Sequence, residues 1–312
     1  MKYNDKIGFV KVITSFIAFC TLSTASSYAQ KVADPQKTLW PVQIRQDLIR
    51  LGNVEWRLRN AAGPHCPSQS MATGLILDYV GAYSKQDRPF VRQTLGLSNY
   101  PQIAAVVTGS PADIAGLKGG DDILAVNHVA ISQNRAATHN NELLTDEILD
   151  RLASGPPDQP IDLLIQRGHT VLSRTVHPQQ MCAARFIMES DDRIDAYSDK
   201  RNVGITSGLV RFTISDDELA LVTGHELAHI IHRDSKSDGL KQRREMEKKA
   251  DFLGAALAHC ADYDVVRASE FWPRFTRHDW LSGLRLPTHL SSARRAAYIR
   301  DFAKGLTCEI SP

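Results

Sequence analysis

The chain has 312 residues, 43% of them apolar and 23% charged, which is enough apolar material for a large core and for more than one folded unit. Its 37 basic and 35 acidic side chains nearly balance, and no long basic run occurs. A strongly basic surface is therefore excluded, and nucleic acid is not predicted as a partner.

The first predicted element, residues 1–29, is a secretory signal peptide. Basic side chains precede an apolar stretch over residues 12–22, and Ser27 and Ala29 are small residues of the kind found before a cleavage site. The alternative, a membrane anchor, requires roughly 20 apolar residues, and this stretch is shorter. We therefore expect a secreted, periplasmic protein with no stable transmembrane segment after cleavage.

Removal of the signal peptide takes away Cys20 and leaves four cysteines, which are Cys66, Cys182, Cys260 and Cys308. An even number in an oxidising compartment predicts two disulfides, for which three pairings are possible. Free thiols or a thiolate metal site are the alternatives, and no CxxC spacing supports the metal site.

An amphipathic helix is predicted over residues 38–60, where apolar side chains recur at helical spacing. Gly63 can cap this helix and Pro64 cannot continue it, so the helix is expected to end here. Residues 74–78 are apolar and predict a short strand.

A separate β-rich module is predicted between residues 88 and 178. Apolar runs at residues 103–107, 123–126 and 161–165 indicate short strands, and residues 142–152 indicate one helix.

The run from Gly109 to Asn127, Gly-Ser-Pro-Ala-Asp-Ile-Ala-Gly-Leu-Lys-Gly-Gly-Asp-Asp-Ile-Leu-Ala-Val-Asn, resembles bacterial PDZ domains. This resemblance implies binding of an extended peptide, often a C-terminus, at a sheet edge beside a helix. It implies that the backbone of Leu95, Gly96 and Leu97 forms the loop that binds a carboxylate. The alternative is a spacer with a closed groove.

After the module, strands are predicted over residues 185–188 and 203–209, followed by a long helix to about His232. Ser215 is a natural N-cap for this helix, and Glu218 is its capping-box partner. Apolar residues surround the helix on nearly every side, so we expect it to be buried.

This helix contains the motif His225-Glu-Leu-Ala-His229. The i, i+4 spacing places two imidazoles one turn apart on one face, where both can bind one cation. Glu226 lies beside them and can accept a proton from an attacking water. The alternative is a histidine pair hydrogen-bonded within the core, but ionisable groups on a buried helix need partners, and a metal supplies one.

A third metal ligand is expected on the next helix. The astacin-like pattern is excluded because His232 and Ser235 stand where that pattern needs Gly and His. Glu247 and Asp251 share one helix face, with the small Ala250 between them. We assign Glu247 as the ligand and Asp251 as the acceptor of a hydrogen bond from a ligand imidazole.

Two alternatives to this assignment remain open. Glu247 and Asp251 can instead belong to a solvated charged face, because basic residues surround them. Glu245 is the other candidate ligand, although no acid follows it at i+4.

Together, the His225–His229 motif and Glu247-x-x-Ala-Asp251 resemble the gluzincin metallopeptidases of the HtpX, BepA-type and CAAX prenyl endopeptidase family. Residues 194–198 and 203–209 resemble the edge strand and hairpin that precede the metal helix in that family. Thr288-His289 with Arg295 resembles its C-terminal motif. The family usually has Asn at the position of Asp195 and Pro at that of Leu290.

The resemblance implies an α+β fold: a zincin-like (minigluzincin) catalytic domain with a mainly helical core and a small sheet. Residues 30–87 and 179–312 would form this domain, and the PDZ-like domain, residues 88–178, would be inserted into it. Cys66 and Cys182 flank the insertion, which favours their pairing and leaves Cys260 with Cys308.

The predicted function is zinc-dependent cleavage of protein or peptide substrates, with one zinc ion and Glu226 as the base. The resemblance implies that substrate lies extended along Asp195, Ala196, Tyr197 and Ser198. His289 or Tyr197 would stabilise the oxyanion. The alternative is a peptide-binding or chaperone-like adaptor in which zinc is structural. No pattern in the sequence indicates an oligomeric state.

Overall fold

The computed structural model describes residues 35–131, 144–234, 239–278 and 291–308. The predicted signal peptide and His289 lie outside these residues. None of the helices described is both long enough and apolar enough to cross a bilayer.

Helices and strands alternate irregularly along the chain, which agrees with the predicted α+β class. The helices are α1 (Pro35–Ala62), α2 (Arg88–Leu95), α3 (Pro111–Ile114), α4 (Leu144–Ala153), α5 (Ser207–Phe212), α6 (Asp216–His232), α7 (Leu240–Cys260), α8 (Val265–Ala268), α9 (Phe271–His278) and α10 (Ser292–Ala303). The strands are β1 (Gln69–Ala72), β2 (Leu75–Asp78), β3 (Gln102–Val106), β4 (Asp122–Val126), β5 (Val129–Ala130), β6 (Ile161–Arg167), β7 (Thr170–Val176), β8 (Gln179–Cys182), β9 (Arg185–Glu189), β10 (Ala196–Ser198) and β11 (Asn202–Thr206).

One apolar core joins the first helix to the C-terminal helices. Leu51, Val54 and Leu58 of α1 are buried in it together with Leu219 and Leu227 of α6. These α1 residues recur at helical spacing, so the predicted amphipathic helix is confirmed, and it ends at Ala62 as expected. A three-stranded sheet covers this core in the order β10-β11-β9, which leaves β10 at an edge.

A second apolar core belongs to a larger sheet in the order β2-β3-β4-β6-β7, with β5 paired to β4. The strand predicted at residues 74–78 is confirmed as β2. It pairs with β3, however, so the predicted boundary at residue 88 would divide this sheet. The apolar pattern of β2 indicated a strand but carried no information about its partner. Residues 88–178 as a separate domain remain a prediction.

The two ends of the segment between the cores meet at a disulfide. Strands β1 and β8 pair antiparallel, with Gln69 opposite Cys182. Cys66 and Cys182 are bonded, with their Cα atoms 5.3 Å apart, so this predicted pairing is confirmed.

The other predicted disulfide is wrong in this structure, because Cys260 and Cys308 are both free thiols. The Cys260 thiol interacts with Cys308, and burial together with this contact raises the pKa of Cys260 to about 12. An even cysteine count carries no information about the geometry that a bond between two particular thiols requires.

Polar contacts also join the two cores. Arg45 of α1 donates to Asp78 of β2 at 3.0 Å and to Gln102 of β3 at 3.1 Å. Arg185 of β9 donates to Asp146 at 2.6 Å and to Asp150 at 2.8 Å, both on α4. The larger sheet and its helix are therefore attached to the helical core at separate points.

Candidate metal centre

Helix α6 begins and ends as its sequence predicts. The Ser215 side chain accepts a hydrogen bond from the Glu218 N–H, and the Glu218 carboxylate accepts one from the Ile214 N–H. Glu218 is buried and forms a salt bridge with Arg274, which compensates for its charge. The helix ends at His232, where Arg233 adopts a left-handed conformation with φ of 54°.

Helices α6 and α7 cross at two glycines. A Cβ atom placed on Gly254 would lie 2.6 Å from the backbone nitrogen of His225, and one placed on Gly224 would lie 2.9 Å from the Gly254 carbonyl oxygen. Ala250 is fully buried between the helices, in agreement with the predicted close approach. The lack of side chains at the crossing lets α7 bring its acidic residues to the histidines of α6.

Three side-chain atoms converge at this crossing. His225 Nε2 lies 3.2 Å from His229 Nε2 and 3.2 Å from Glu247 Oε2, and His229 Nε2 lies 3.5 Å from the same oxygen. A tetrahedral zinc ion with bonds of roughly 2.0–2.1 Å separates its ligand atoms by about 3.3 Å. The observed spacing and the two-nitrogen, one-oxygen donor set therefore fit a zinc ion. Glu245, the alternative ligand, is exposed.

Asp251 contacts the first imidazole from the side opposite Glu247. His225 Nδ1 lies 2.9 Å from Asp251 Oδ1, a contact that favours the tautomer with Nε2 free to bind metal. Arg295 donates to both Asp251 oxygens at 2.7 and 2.8 Å, and Tyr298 donates to one of them. The guanidinium of Arg295 also stacks on Trp272, 3.3 Å from the ring centroid. The buried carboxylate is thus held by several charged and polar partners.

Asp234 contacts the second imidazole, which the sequence had not predicted. His229 Nδ1 lies 2.8 Å from Asp234 Oδ2. The left-handed turn at Arg233 brings Asp234 back beside the last turn of α6. An acidic residue at a helix C-terminus interacts unfavourably with the helix dipole. The position of Asp234 was therefore the sequence signal that this residue has a role other than stabilising α6.

Carboxylates raise the pKa of both imidazoles. Burial lowers the pKa of His229, but hydrogen bonds to Glu247 and Asp234 outweigh it and raise the pKa to about 9. For His225 burial again opposes protonation, and contacts with Asp251 and Glu247 raise its pKa above the ordinary value. The negative potential of these carboxylates, which favours protonation of both imidazoles, also favours the binding of a metal cation between them.

Glu226 faces the small sheet. Its Oε2 lies 2.9 Å from the hydroxyl of Ser198, at the end of edge strand β10. Of the other predicted substrate residues, Ala196 and Tyr197 lie on β10 and Asp195 lies immediately before it. The structure therefore brings this strand to the predicted base, and the exposed Tyr197 contacts Glu189.

The predicted carboxylate-binding loop is not open in this structure. Leu95 ends α2, and the Gly96 N–H donates to the Arg92 carbonyl oxygen as part of the helix cap. The Leu97 side chain is buried. Because the Gly96 N–H already has an acceptor, the geometry does not favour carboxylate binding by Leu95, Gly96 and Leu97. The α2 helix that uses this N–H was not predicted, although Pro89 in its first turn and Gly96 at its end are signals of a helix.

A cavity of about 120 Å³ lies between the two cores. Edge strand β2 contributes Leu75 and Ile76, and α4 contributes Leu149 and Leu152. Helix α1 forms another wall, where the absence of a side chain at Gly52 permits contact with Ile76. The lining is mixed, because the charged residues Glu55, Arg59, Asp146 and Arg185 also contribute to it.

Comparison with known proteins finds one family whose sequence profile matches part of the chain. Peptidase family M48 matches residues 164–241, which include His225, Glu226 and His229 and end before Glu247. This match supports a metallopeptidase. No curated protein matches the sequence.

Among solved structures, the HtrA-type protease AlgW with a decapeptide is similar at 19% identity and a TM-score of 0.27, over 36% of this chain and 30% of that chain. The HtrA3 PDZ domain bound to a phage-derived ligand is similar at 16% identity and a TM-score of 0.28, over 36% of this chain and 89% of that chain. This chain thus spans less than a third of the AlgW protease. The TM-scores are too low to establish a common fold.

Proposed function

We propose that this chain is a secreted, zinc-dependent endopeptidase that cleaves protein or peptide substrates. The observation that carries the proposal is the convergence of His225, His229 and Glu247 at the α6–α7 crossing, with Glu226 beside them. The match to Peptidase family M48 over α6 supports the same reaction class.

A catalytic site differs from a structural zinc site in its number of protein ligands. Structural sites are closed by four protein ligands, whereas catalytic sites use three and leave one position open. Among the residues described, the group able to hold a metal here has three members. This favours the enzyme over an adaptor with structural zinc.

Bound zinc would supply a Lewis acid that polarises a scissile carbonyl and lowers the pKa of water towards 7. Glu226 accepts the proton of the attacking water on its carboxylate and returns it to the leaving amine. The edge of β10 offers backbone groups to an extended substrate, in line with Asp195, Ala196, Tyr197 and Ser198 as the substrate-binding segment. His289 is the proposed donor to the oxyanion, because Tyr197 adjoins Ser198 on β10, points to the opposite face and directs its hydroxyl to Glu189.

The second core provides a peptide-binding module in this proposal. The cavity between β2 and α4 combines a sheet edge with a neighbouring helix, the arrangement that accepts an extended peptide. We place the peptide there rather than at Leu95–Leu97. The adaptor remains the second candidate function, because this cavity does not depend on the metal.

Zinc analysis combined with casein cleavage tests the proposal. The purified protein should contain one zinc ion, and a chelator should abolish cleavage. Glu226→Gln should keep the zinc and lower kcat by about 10²–10⁴-fold, because it removes the proton acceptor. Glu247→Gln should lose zinc and cleavage together, whereas the matched Glu245→Gln should retain both, because Glu245 is exposed.

Full activity in the Glu226 variant would contradict its role as the base. Zinc retained at wild-type affinity by the Glu247 variant would contradict the ligand set. If the wild-type protein binds peptide with or without chelator and cleaves nothing, the adaptor is the correct function.

A further inference from the structure

Ser198 makes a contact that substrate binding alone does not explain. Its hydroxyl donates to Oε2 of Glu226 at 2.9 Å, and both side chains are half-buried. Among the described residues, Ser198 is the one whose side chain forms a hydrogen bond with the Glu226 carboxylate. The contact joins the sheet to the proposed base.

The backbone of Ser198 is fixed independently of α6. Ser198 pairs with Val203 of β11, which is completely buried, and β11 in turn pairs with β9. The adjoining Asp199 accepts hydrogen bonds from the N–H groups of Arg201 and Asn202, which closes the turn between the two strands. The hydroxyl is therefore presented from a fixed position.

The orientation of a glutamate carboxylate is otherwise weakly determined. The terminal torsion of Glu is broad, so an unanchored carboxylate samples many planes. A hydrogen bond to Oε2 restricts this rotation and leaves Oε1 available to accept a proton. Misplacement of a catalytic group by about 1 Å can slow a reaction by about 10²-fold.

We propose that Ser198 is a positioning residue, which holds the carboxylate of Glu226 in the orientation needed to accept a proton. This inference deepens the proposed peptidase function and rests on it. It gives Ser198 a role distinct from that of the other edge-strand residues, whose contribution is to bind substrate.

The test compares Ser198→Ala and Ser198→Thr with the wild-type protein in steady-state casein-peptide cleavage. Ser198→Ala should lower kcat about tenfold or more and leave KM nearly unchanged, since the ground-state substrate contacts remain. Ser198→Thr keeps the hydroxyl on the same carbon and suits a strand, so it should recover most of kcat. Zinc content and Tm are measured for each variant.

Ser173→Ala is the matched control, because Ser173 is an exposed strand residue on β7 of the other sheet. Its kcat should equal that of the wild-type protein. An unchanged kcat in Ser198→Ala, a raised KM with normal kcat, or failure of Ser198→Thr to recover activity would each overturn the positioning role.

The activities of Glu226→Gln and Ser198→Ala distinguish an error in the proposed peptidase function from an error in the role of Ser198. If Glu226→Gln cleaves normally, Glu226 is not the base and the peptidase mechanism itself is wrong. If Glu226→Gln is inactive and Ser198→Ala is fully active, only the role of Ser198 is refuted.

Discussion

At the scale of single residues, Asp234 supports the metal centre from outside the ligand set. Its carboxylate accepts from His229 Nδ1 and so keeps the ring oriented with Nε2 towards Glu247. Such acceptors typically contribute 10–100-fold to metal affinity.

We therefore expect Asp234→Asn to weaken zinc binding by about 10–100-fold, measured by competition with a chromophoric chelator. The control is Asp262→Asn, because Asp262 is an exposed acid in a left-handed turn just after α7. Equal zinc affinity in the two variants would show that Asp234 does not support the ligand.

The sequence predicted the residues that depend on helical periodicity. His225 and His229 share a helix face at i, i+4, as do Glu247 and Asp251, and the structure places all four together. Asp234 could not be predicted in this way, because its contact depends on the backbone turn beyond the helix.

At the scale of secondary-structure elements, the α6–α7 crossing controls how closely Glu247 approaches the histidines. The nearest atoms to an added Cβ at Gly254 belong to the backbone of α6, which cannot move aside as a side chain could. The crossing distance is therefore set by the two glycines.

We expect Gly254→Ala to force the helices apart, lower the free energy of unfolding by about 1–3 kcal/mol and weaken zinc binding. Denaturant unfolding and metal competition measure the two effects. Gly155→Ala is the control, because no atom lies within 4 Å of its added Cβ. Wild-type zinc affinity in Gly254→Ala would show that the crossing does not control the site.

The importance of this crossing was not visible in the sequence. A glycine inside a predicted helix lowers helix propensity and indicates only a local weakness. Gly254 acquires its role from Gly224, which lies on another helix. Likewise the apolar run of β2 predicted a strand, but pairing with β3 across α2 depends on long-range packing.

At the scale of the whole molecule, the Cys66–Cys182 disulfide joins chain positions 116 residues apart. A bond that closes such a long loop restricts the unfolded chain strongly and stabilises the folded state by about 3–5 kcal/mol.

We expect Cys66→Ser with Cys182→Ser to lose most of this stability in denaturant unfolding. Cys308→Ser, which replaces an exposed free thiol, should leave the free energy of unfolding nearly unchanged. Similar unfolding midpoints for the double variant and the wild-type protein would contradict the loop-closure argument.

The larger sheet and α4 are attached to the helical core at three places. These are the ion pairs of Arg45 and Arg185 and the Cys66–Cys182 disulfide. A body joined at one point can pivot, and a body joined at two can still swing about the line between them. Attachment at a third place restricts both motions. A peptide end seated between β2 and α4 would therefore be presented over a narrow range of directions, and the length of bound polypeptide that reaches the scissile bond would vary little.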